Sequence, residues 1–153
     1  MGKSIVVYFS ISGITKKIAE DAARIAGCPV CEIKTAVPYP ADYDAVVAEA
    51  RKEAAANARP KLKEPLPDIS DVERIILGFP NWCSTCPMAV LTFLESIDLS
   101  GKTILPFITH GGGGRGHVDV ELKNACKGAD LRTCVDGNPF NADTAKLEEW
   151  LKS

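Results

Sequence analysis

The feature that most constrains the fold is a regular alternation of short apolar runs with stretches of helical periodicity. The run 75–79 (Ile-Ile-Leu-Gly-Phe) is apolar without interruption, which is typical of a strand buried on both faces of a sheet. Between such runs, apolar residues recur at helical spacing, as Ile14, Ile18, Ala22 and Ile25 do. The alternation predicts an α/β fold built from parallel βαβ units with right-handed crossovers.

The predicted elements are five strands and five helices. The strands cover about 5–9, 30–34, 75–79, 103–108 and 131–135, and the first four helices about 14–26, 43–58, 88–96 and 118–125. We expect Gly27 to end the first helix, Asp42 to cap the second and Asn141 to cap the last. Pro106 is awkward inside the fourth strand, because proline has no N–H for a ladder.

Composition narrows the class of protein and its partners. The 153 residues predict a single domain spanning 1–153, large enough to bury a core. The net charge of −2 argues against nucleic acid as a partner. No apolar run has the length of a membrane span, and the N-terminus has no signal-peptide pattern. We therefore expect a cytoplasmic protein, monomeric or weakly dimeric, with its six cysteines reduced.

The turn 10–15 (Ser-Ile-Ser-Gly-Ile-Thr) joins the first strand to the first helix. Hydroxyls and backbone N–H groups converge there, and the helix dipole favours negative charge at the same place. A phosphate group is the expected occupant. The alternative is a plain serine-rich turn that ends in a helix cap.

Two further loops are expected to meet this turn. In open parallel sheets, ligands bind beyond the carboxyl ends of the strands, where the strand order reverses. The segments after the first, third and fourth strands are 10–15, 80–86 and 109–114, and all three are rich in Gly, Ser and Thr. The loops on the opposite edge are not.

These pieces together resemble the flavodoxins, in particular the short-chain flavodoxin-like proteins of bacteria. The resemblance covers nearly the whole chain, and the order of its pieces carries more weight than any one of them. It implies a three-layer fold with a five-stranded parallel sheet of order 2-1-3-4-5, and FMN as the cofactor. The pieces are Val7-Tyr8-Phe9-Ser10-x-Ser12-Gly13-x-Thr15, Pro38-Tyr39-Pro40-x-Asp42-Tyr43, Gly78-Phe79-Pro80-x-Trp82, Pro87-Met88, Phe93-Leu94-Glu95, Leu99-Ser100-Gly101-Lys102 and Pro106-Phe107-x-Thr109-His110-Gly111-Gly112.

The resemblance also implies roles for residues of the three loops. The FMN phosphate is expected to meet the hydroxyls of Ser10, Ser12 and Thr15 and the N–H groups of Gly13, Ile14 and Thr15. Trp82 is expected to stack on the isoalloxazine ring; the alternative is a core tryptophan. His110 is expected to pair with a ring oxygen; the alternative is an exposed loop histidine. The remaining candidates for contact with the ring are Pro80, Asn81, Cys83, Ser84, Thr85, Thr109, Gly111 and Gly112.

The chain departs from the family pattern in the second loop. The family usually has a glycine where Ser84 stands and an aromatic residue where Cys83 stands. A serine tolerates positive φ less well than glycine, which puts a reduction-linked peptide change in doubt. The three loops contain no Asp or Glu, so we expect a less extreme low potential than that of the strongly acidic flavodoxins.

Two C-x-x-C spacings allow other chemistry. Cys28/Cys31 and Cys83/Cys86 are pairs of the kind that ligate zinc or cycle as dithiols. Cys83/Cys86 precedes a helix N-terminus, which lowers a thiol pKa, so a redox-active pair beside the flavin is one hypothesis. The other is that Cys28 and Cys31 are small core residues, as Cys126 and Cys134 are expected to be.

Three classes of function remain open on the sequence. The first is an electron carrier that holds FMN and passes electrons between a reductase and an acceptor protein. The second is an FMN-dependent NAD(P)H oxidoreductase that acts on quinones or similar small acceptors. The third is a thiol or zinc module that binds no flavin.

Overall fold

The computed structural model describes residues 3–10, 13–40, 42–63, 68–81, 86–110 and 118–152, with Tyr43 described by its backbone alone. In these ranges strands and helices alternate as far as α4, after which two short strands are followed by two helices. The strands are β1 (Lys3–Tyr8), β2 (Val30–Glu32), β3 (Val72–Pro80), β4 (Thr103–Thr109), β5 (Asp130–Leu131) and β6 (Val135–Asp136). The helices are α1 (Ile14–Ala26), α2 (Tyr43–Ala56), α3 (Met88–Glu95), α4 (Val118–Ala125), α5 (Asn138–Ala142) and α6 (Thr144–Leu151).

The strands form one parallel sheet in the order β2-β1-β3-β4-β5, and β6 also pairs with β4. The predicted fold class and strand order are confirmed. Successive residues of the central strands are buried on opposite faces, as Ile75 and Ile76 are. One face packs against α3 and α4, and the other packs against α1 and α6. Burial of both faces explains the uninterrupted apolar run in β3.

The helix ends follow the local sequence at two of three predicted caps. Gly27 ends α1 in the left-handed conformation, with φ +66°, and the Asp42 carboxylate accepts the Ala45 N–H at 3.1 Å. The last cap is Asp143 and not Asn141, because two short helices meet there. None of the helices among the described residues has the length and apolar character needed to cross a membrane.

The buried stripe of α1 begins one turn later than predicted. Ile18 and Ala22 are fully buried and Ile25 is half-buried, but Ile14 is 44% exposed. Ile14 is the first residue of the helix. It lies at the end of α1 that follows the turn after β1.

The predicted fifth strand, 131–135, is wrong as a single element. β5 pairs with β4 at Thr103 and Ile104, and β6 pairs with it at Phe107 and Ile108. Three residues, 132–134, lie opposite the two between those pairs, so the edge carries one extra residue, as in a bulge. Arg132 N–H donates to the Ile104 carbonyl and Gly137 N–H to that of Ile108. The main-chain polar groups of even-numbered residues of β4 therefore point toward β5 and β6. Pro106 occupies the even position at which this ladder is interrupted.

Phe107 of β4 lies between two glycines. A Cβ built on Gly78, its partner in β3, would overlap the Phe107 ring, and one on Gly137 would lie 2.7 Å from it. The ring also makes an edge-to-face contact with Trp150 at 5.9 Å. Gly78 and Gly137 thus leave the space that one large aromatic residue fills.

Candidate functional site

The ends of β1, β3 and β4 lie side by side at the carboxyl edge of the sheet. Phe9 N–H donates to the Gly78 carbonyl at 2.9 Å, and Asn81 N–H donates to the Thr109 carbonyl at 2.8 Å. Ser10 directly follows Phe9, and His110 directly follows Thr109. The described parts of the three predicted loops therefore begin at one edge.

The turn before α1 has the features of an anion site. Gly13 precedes the helix with φ +93°, and its N–H donates to Ser10 Oγ at 3.1 Å. No side-chain hydrogen bond caps α1 among the described residues, and no acidic residue occupies its first turn. The N–H groups of the first turn have no partner inside a helix, so a bound anion is a fitting partner for them.

A buried hydrogen bond joins this turn to the end of β4. The hydroxyls of Thr15 and Thr109 lie 2.7 Å apart, and the two residues are 1% and 5% exposed. Each hydroxyl can donate one hydrogen bond and accept others, so either can be the donor. The contact fixes the first turn of α1 against β4 across 94 residues of sequence.

His110 is held by residues that lie outside the three predicted loops. Asn138 Oδ1 accepts the His110 N–H at 3.0 Å, and Asn138 Nδ2 donates to the His110 carbonyl at 2.7 Å. The imidazole Nε2 lies 3.1 Å from Asp136 Oδ2, and the His110 side chain is 15% exposed. The alternative of an exposed loop histidine is therefore wrong.

Asp136 brings a carboxylate to a site whose three loops have none. Partial burial acts to raise the pKa of this carboxyl, but hydrogen bonds from the Asn138 N–H and from His110 outweigh it, so the pKa lies below its ordinary value. No motif marks Asp136 or Asn138 in the sequence. Only the pairing of β6 with β4 brings them to His110.

The described end of the second loop contradicts the hypothesis of an activated thiol at Cys86. Cys86 is fully buried, and burial raises the pKa of its thiol well above the ordinary value, with the Glu121 carboxylate adding to the effect. Glu121 Oε1 accepts the Cys86 N–H at 2.8 Å. The predicted lowering by the helix N-terminus is therefore wrong for Cys86. Cys126 and Cys134 are buried, as predicted.

Several predicted contacts with the cofactor fall outside the described residues. Pro80 ends β3 and Asn81 follows it, so these two are placed at the site, as are Ser10, Gly13, Ile14, Thr15, Thr109 and His110. The residues that lie outside the described ranges are Ser12, Trp82, Cys83, Ser84, Thr85, Gly111 and Gly112.

The other C-x-x-C pair is divided between the two faces of the sheet. Cys31 packs against the core cluster on the α3 side, and Cys28 packs against the cluster on the α1 side. The two are not joined by a disulfide, and burial raises the pKa of both thiols. Among the described residues, no cluster of three or more His, Cys, Asp or Glu is suited to a metal ion. This placement favours the interpretation as small core residues.

A groove of about 590 Å³ opens on the β2 side of Ser10. Tyr39 forms part of its wall and is fixed there by a 2.6 Å hydrogen bond to Glu53 and an edge-to-face contact with Phe9. The motif Pro38-Tyr39-Pro40 therefore anchors the segment after β2 to α2. The other described residues that line the groove are Glu32, Ile33, Lys34, Thr35, Ala36, Lys61, Leu62 and Lys63.

Comparison with known proteins gives a consistent result. A family model described as flavodoxin matches residues 3–153. A crystal structure of a Bacteroides uniformis protein classed as a flavoprotein is 29% identical, with 99% of each chain covered and a TM-score of 0.88. A second such protein, from Bacteroides eggerthii, is 25% identical, with 100% of this chain and 99% of that chain covered and a TM-score of 0.84.

A flavoprotein from Lactobacillus acidophilus, crystallised in complex with FMN, has the same fold. It is 20% identical, with 98% of this chain and 99% of that chain covered and a TM-score of 0.80. A comparison with curated proteins finds no match.

Proposed function

We propose, since the chain belongs to the flavodoxin family, that it binds FMN and carries electrons between partner proteins. The observation that supports this most directly is the turn before α1. Gly13 in a left-handed conformation, Ser10 Oγ beside it and a helix N-terminus with no side-chain cap among the described residues form a neutral site suited to an anion such as phosphate. Such a site holds a phosphate by backbone dipoles and hydroxyls without an arginine.

The described residues fit FMN in two groups. Ser10, Gly13, Ile14 and Thr15, with Ser12, would hold the phosphate. Thr109, His110, Pro80 and Asn81 would meet the isoalloxazine ring, with the remaining ring contacts from Trp82, Cys83, Ser84, Thr85, Gly111 and Gly112. When bound, the flavin supplies one- and two-electron oxidation and reduction, and the protein sets its potential through contacts and local charge.

The role of carrier is supported by the chemistry of the described side chains. Most of the groups described at the edge of the sheet are hydroxyls, amides and a helix N-terminus, which bind a ligand without reacting with it. The exception is the His110 imidazole, with the Asp136 carboxylate beside it. The Cys86 thiol is buried and its pKa is raised, which argues against a reactive thiolate at that position. The proposed partners are a reductase that donates electrons and an acceptor protein that receives them.

A titration with FMN tests the binding proposal. FMN fluorescence and the visible flavin spectrum are followed as purified protein, stripped of flavin, is added. We expect saturation at one FMN per chain. An unchanged flavin spectrum at protein concentrations up to the millimolar range would contradict the proposal.

A second assay separates the carrier from the oxidoreductase. The FMN-loaded protein is mixed with NADH or NADPH and a soluble quinone, and the absorbance of the nicotinamide is followed. A carrier consumes no nicotinamide in this mixture unless a reductase is added, because it does not take a hydride from NADH or NADPH directly. Sustained turnover without a reductase would instead establish the FMN-dependent oxidoreductase.

A further inference from the structure

Asp136, Gly137 and Asn138 form a corner at the edge of the candidate site, where β6 ends and α5 begins. We infer that Asn138 is a positioning residue for the cofactor, acting through the backbone of His110, and that Asp136 orients the imidazole. The inference deepens the proposed function and rests on it, because the ligand that it concerns is the flavin ring.

The side chain of Asn138 extends the edge ladder of β4 by one step. Main-chain hydrogen bonds on this edge go to even-numbered residues of β4, the last being Gly137 N–H to the Ile108 carbonyl at 2.7 Å. At the next even position, His110, the partner is the amide of Asn138, which both accepts from the N–H and donates to the carbonyl. A side-chain amide presents the same donor and acceptor as a peptide group.

This clamp acts at the point where β4 becomes the third loop. His110 is followed directly by the glycines of 111–114, the segment expected to meet the pyrimidine edge of the flavin. Asn138 holds both polar groups of the His110 backbone at this point.

The two carboxylate oxygens of Asp136 contact both Asn138 and His110. Oδ1 accepts the Asn138 N–H at 2.9 Å, and Oδ2 lies 3.1 Å from His110 Nε2. The carboxylate therefore links the clamp to the imidazole, and a hydrogen bond on one ring nitrogen sets the orientation of the ring. The corner fixes the backbone and the side chain of His110 together.

The test compares Asn138→Ala with Asn141→Ala in the full chain. Asn141 lies on the same short helix and is exposed, and its side chain makes no hydrogen bond among the described residues. The readouts are the FMN dissociation constant and the melting temperature of the flavin-free protein. We expect Asn138→Ala to weaken FMN binding at least tenfold, while Asn141→Ala stays within twofold of wild type.

A second variant, Asn138→Asp, decides the matter if Asn138→Ala does not fold. Aspartate keeps the acceptor for the His110 N–H but replaces the donor to its carbonyl with an oxygen, so we expect at least a tenfold loss of affinity here too. Wild-type FMN affinity in either folded variant would overturn the inference while leaving the proposed function intact. Failure of the wild-type chain itself to bind FMN would overturn both.

Discussion

The two halves of the candidate site are built in different ways. The half proposed to hold the phosphate, called the phosphate half, lies in the segment 10–15, where Gly13, the Ser10 hydroxyl and the start of α1 are arranged by local conformation. The half proposed to hold the flavin ring, called the ring half, lies at the end of β4, where His110 is held by Asp136 and Asn138, 26 and 28 residues further along the chain. The conformation of one half is therefore set by residues close together in the sequence, whereas that of the other is set by the pairing of distant strands. Thr15 and Thr109 are the contact between them.

The largest effect on stability is expected at this contact between the halves. Thr15→Val leaves the Thr109 hydroxyl buried without its partner, which costs about 1–3 kcal/mol of the free energy of unfolding. Thr109→Val should cost a similar amount, and the double variant less than the sum of the two, because no orphaned hydroxyl remains. Urea denaturation of the four proteins measures the coupling.

Thr92→Val is the matched control for that cycle. Thr92 donates to the Met88 carbonyl within α3, away from both halves, so its loss should not couple to Thr15→Val. Strict additivity of Thr15→Val and Thr109→Val would show that the two halves are independent.

The next prediction separates an effect on phosphate binding from the cost of backbone strain. Gly13 and Gly27 stand at the two ends of α1, both with positive φ and with open space where a Cβ would lie. Alanine at either position should cost about 1–2 kcal/mol of unfolding free energy, from conformation alone. Only Gly13→Ala should weaken FMN binding as well, as measured by fluorescence titration.

Riboflavin, which lacks the phosphate, sharpens the same comparison. The Gly13→Ala substitution should reduce the preference for FMN over riboflavin, whereas Asn138→Ala should weaken both ligands by a similar factor. Equal weakening of FMN by Gly13→Ala and Gly27→Ala would remove the distinction between the two halves.

The smallest effect is the pH dependence that Asp136 contributes in the ring half. Because its pKa is lowered in the folded state, the carboxylate stabilises the fold above its ordinary pKa, and this stability is lost as the pH falls through the folded value. The side chain is about half exposed, so Asp136→Asn should cost below about 1 kcal/mol near pH 6, as exposed pairs do.

Chemical denaturation between pH 6 and pH 2.5 measures this difference, which should vanish at the acid end. In the His110→Gln background the same substitution should cost less, because only the bond from the Asn138 N–H remains. If the loss of unfolding free energy caused by Asp136→Asn stayed constant down to pH 2.5, the charge of Asp136 would not contribute to the stability of the ring half.

Residues whose partners are close in the sequence were predictable. The start of α1 at Ile14, the Gly27 and Asp42 caps and the doubly buried β3 follow from short-range patterns, and the structure confirms them. The clamp on His110 follows from β6 pairing with β4, which no short pattern encodes. The burial of Cys86 was missed for a related reason, since the residues around it include Glu121, Cys126 and Cys134 of distant segments.

Pro106 shows an intermediate case. A proline in a strand predicts a missing hydrogen bond in the ladder, but it does not predict how the neighbouring strand is arranged around that gap. The response is to divide one expected strand into β5 and β6 around an extra residue, and the second of these carries Asp136 to the site. The proline and the ring half of the site are thus parts of one local arrangement.

The division of this edge into β5 and β6 also affects how readily the protein can pair with strands of other molecules. An uncapped sheet edge can recruit a strand from another molecule if it offers a continuous row of N–H and C=O groups. On the β4 side this edge consists of two strands of two residues each, separated by three residues. A foreign strand would find pairing partners for only a few residues at a time, so we expect fibril growth through this edge to be disfavoured.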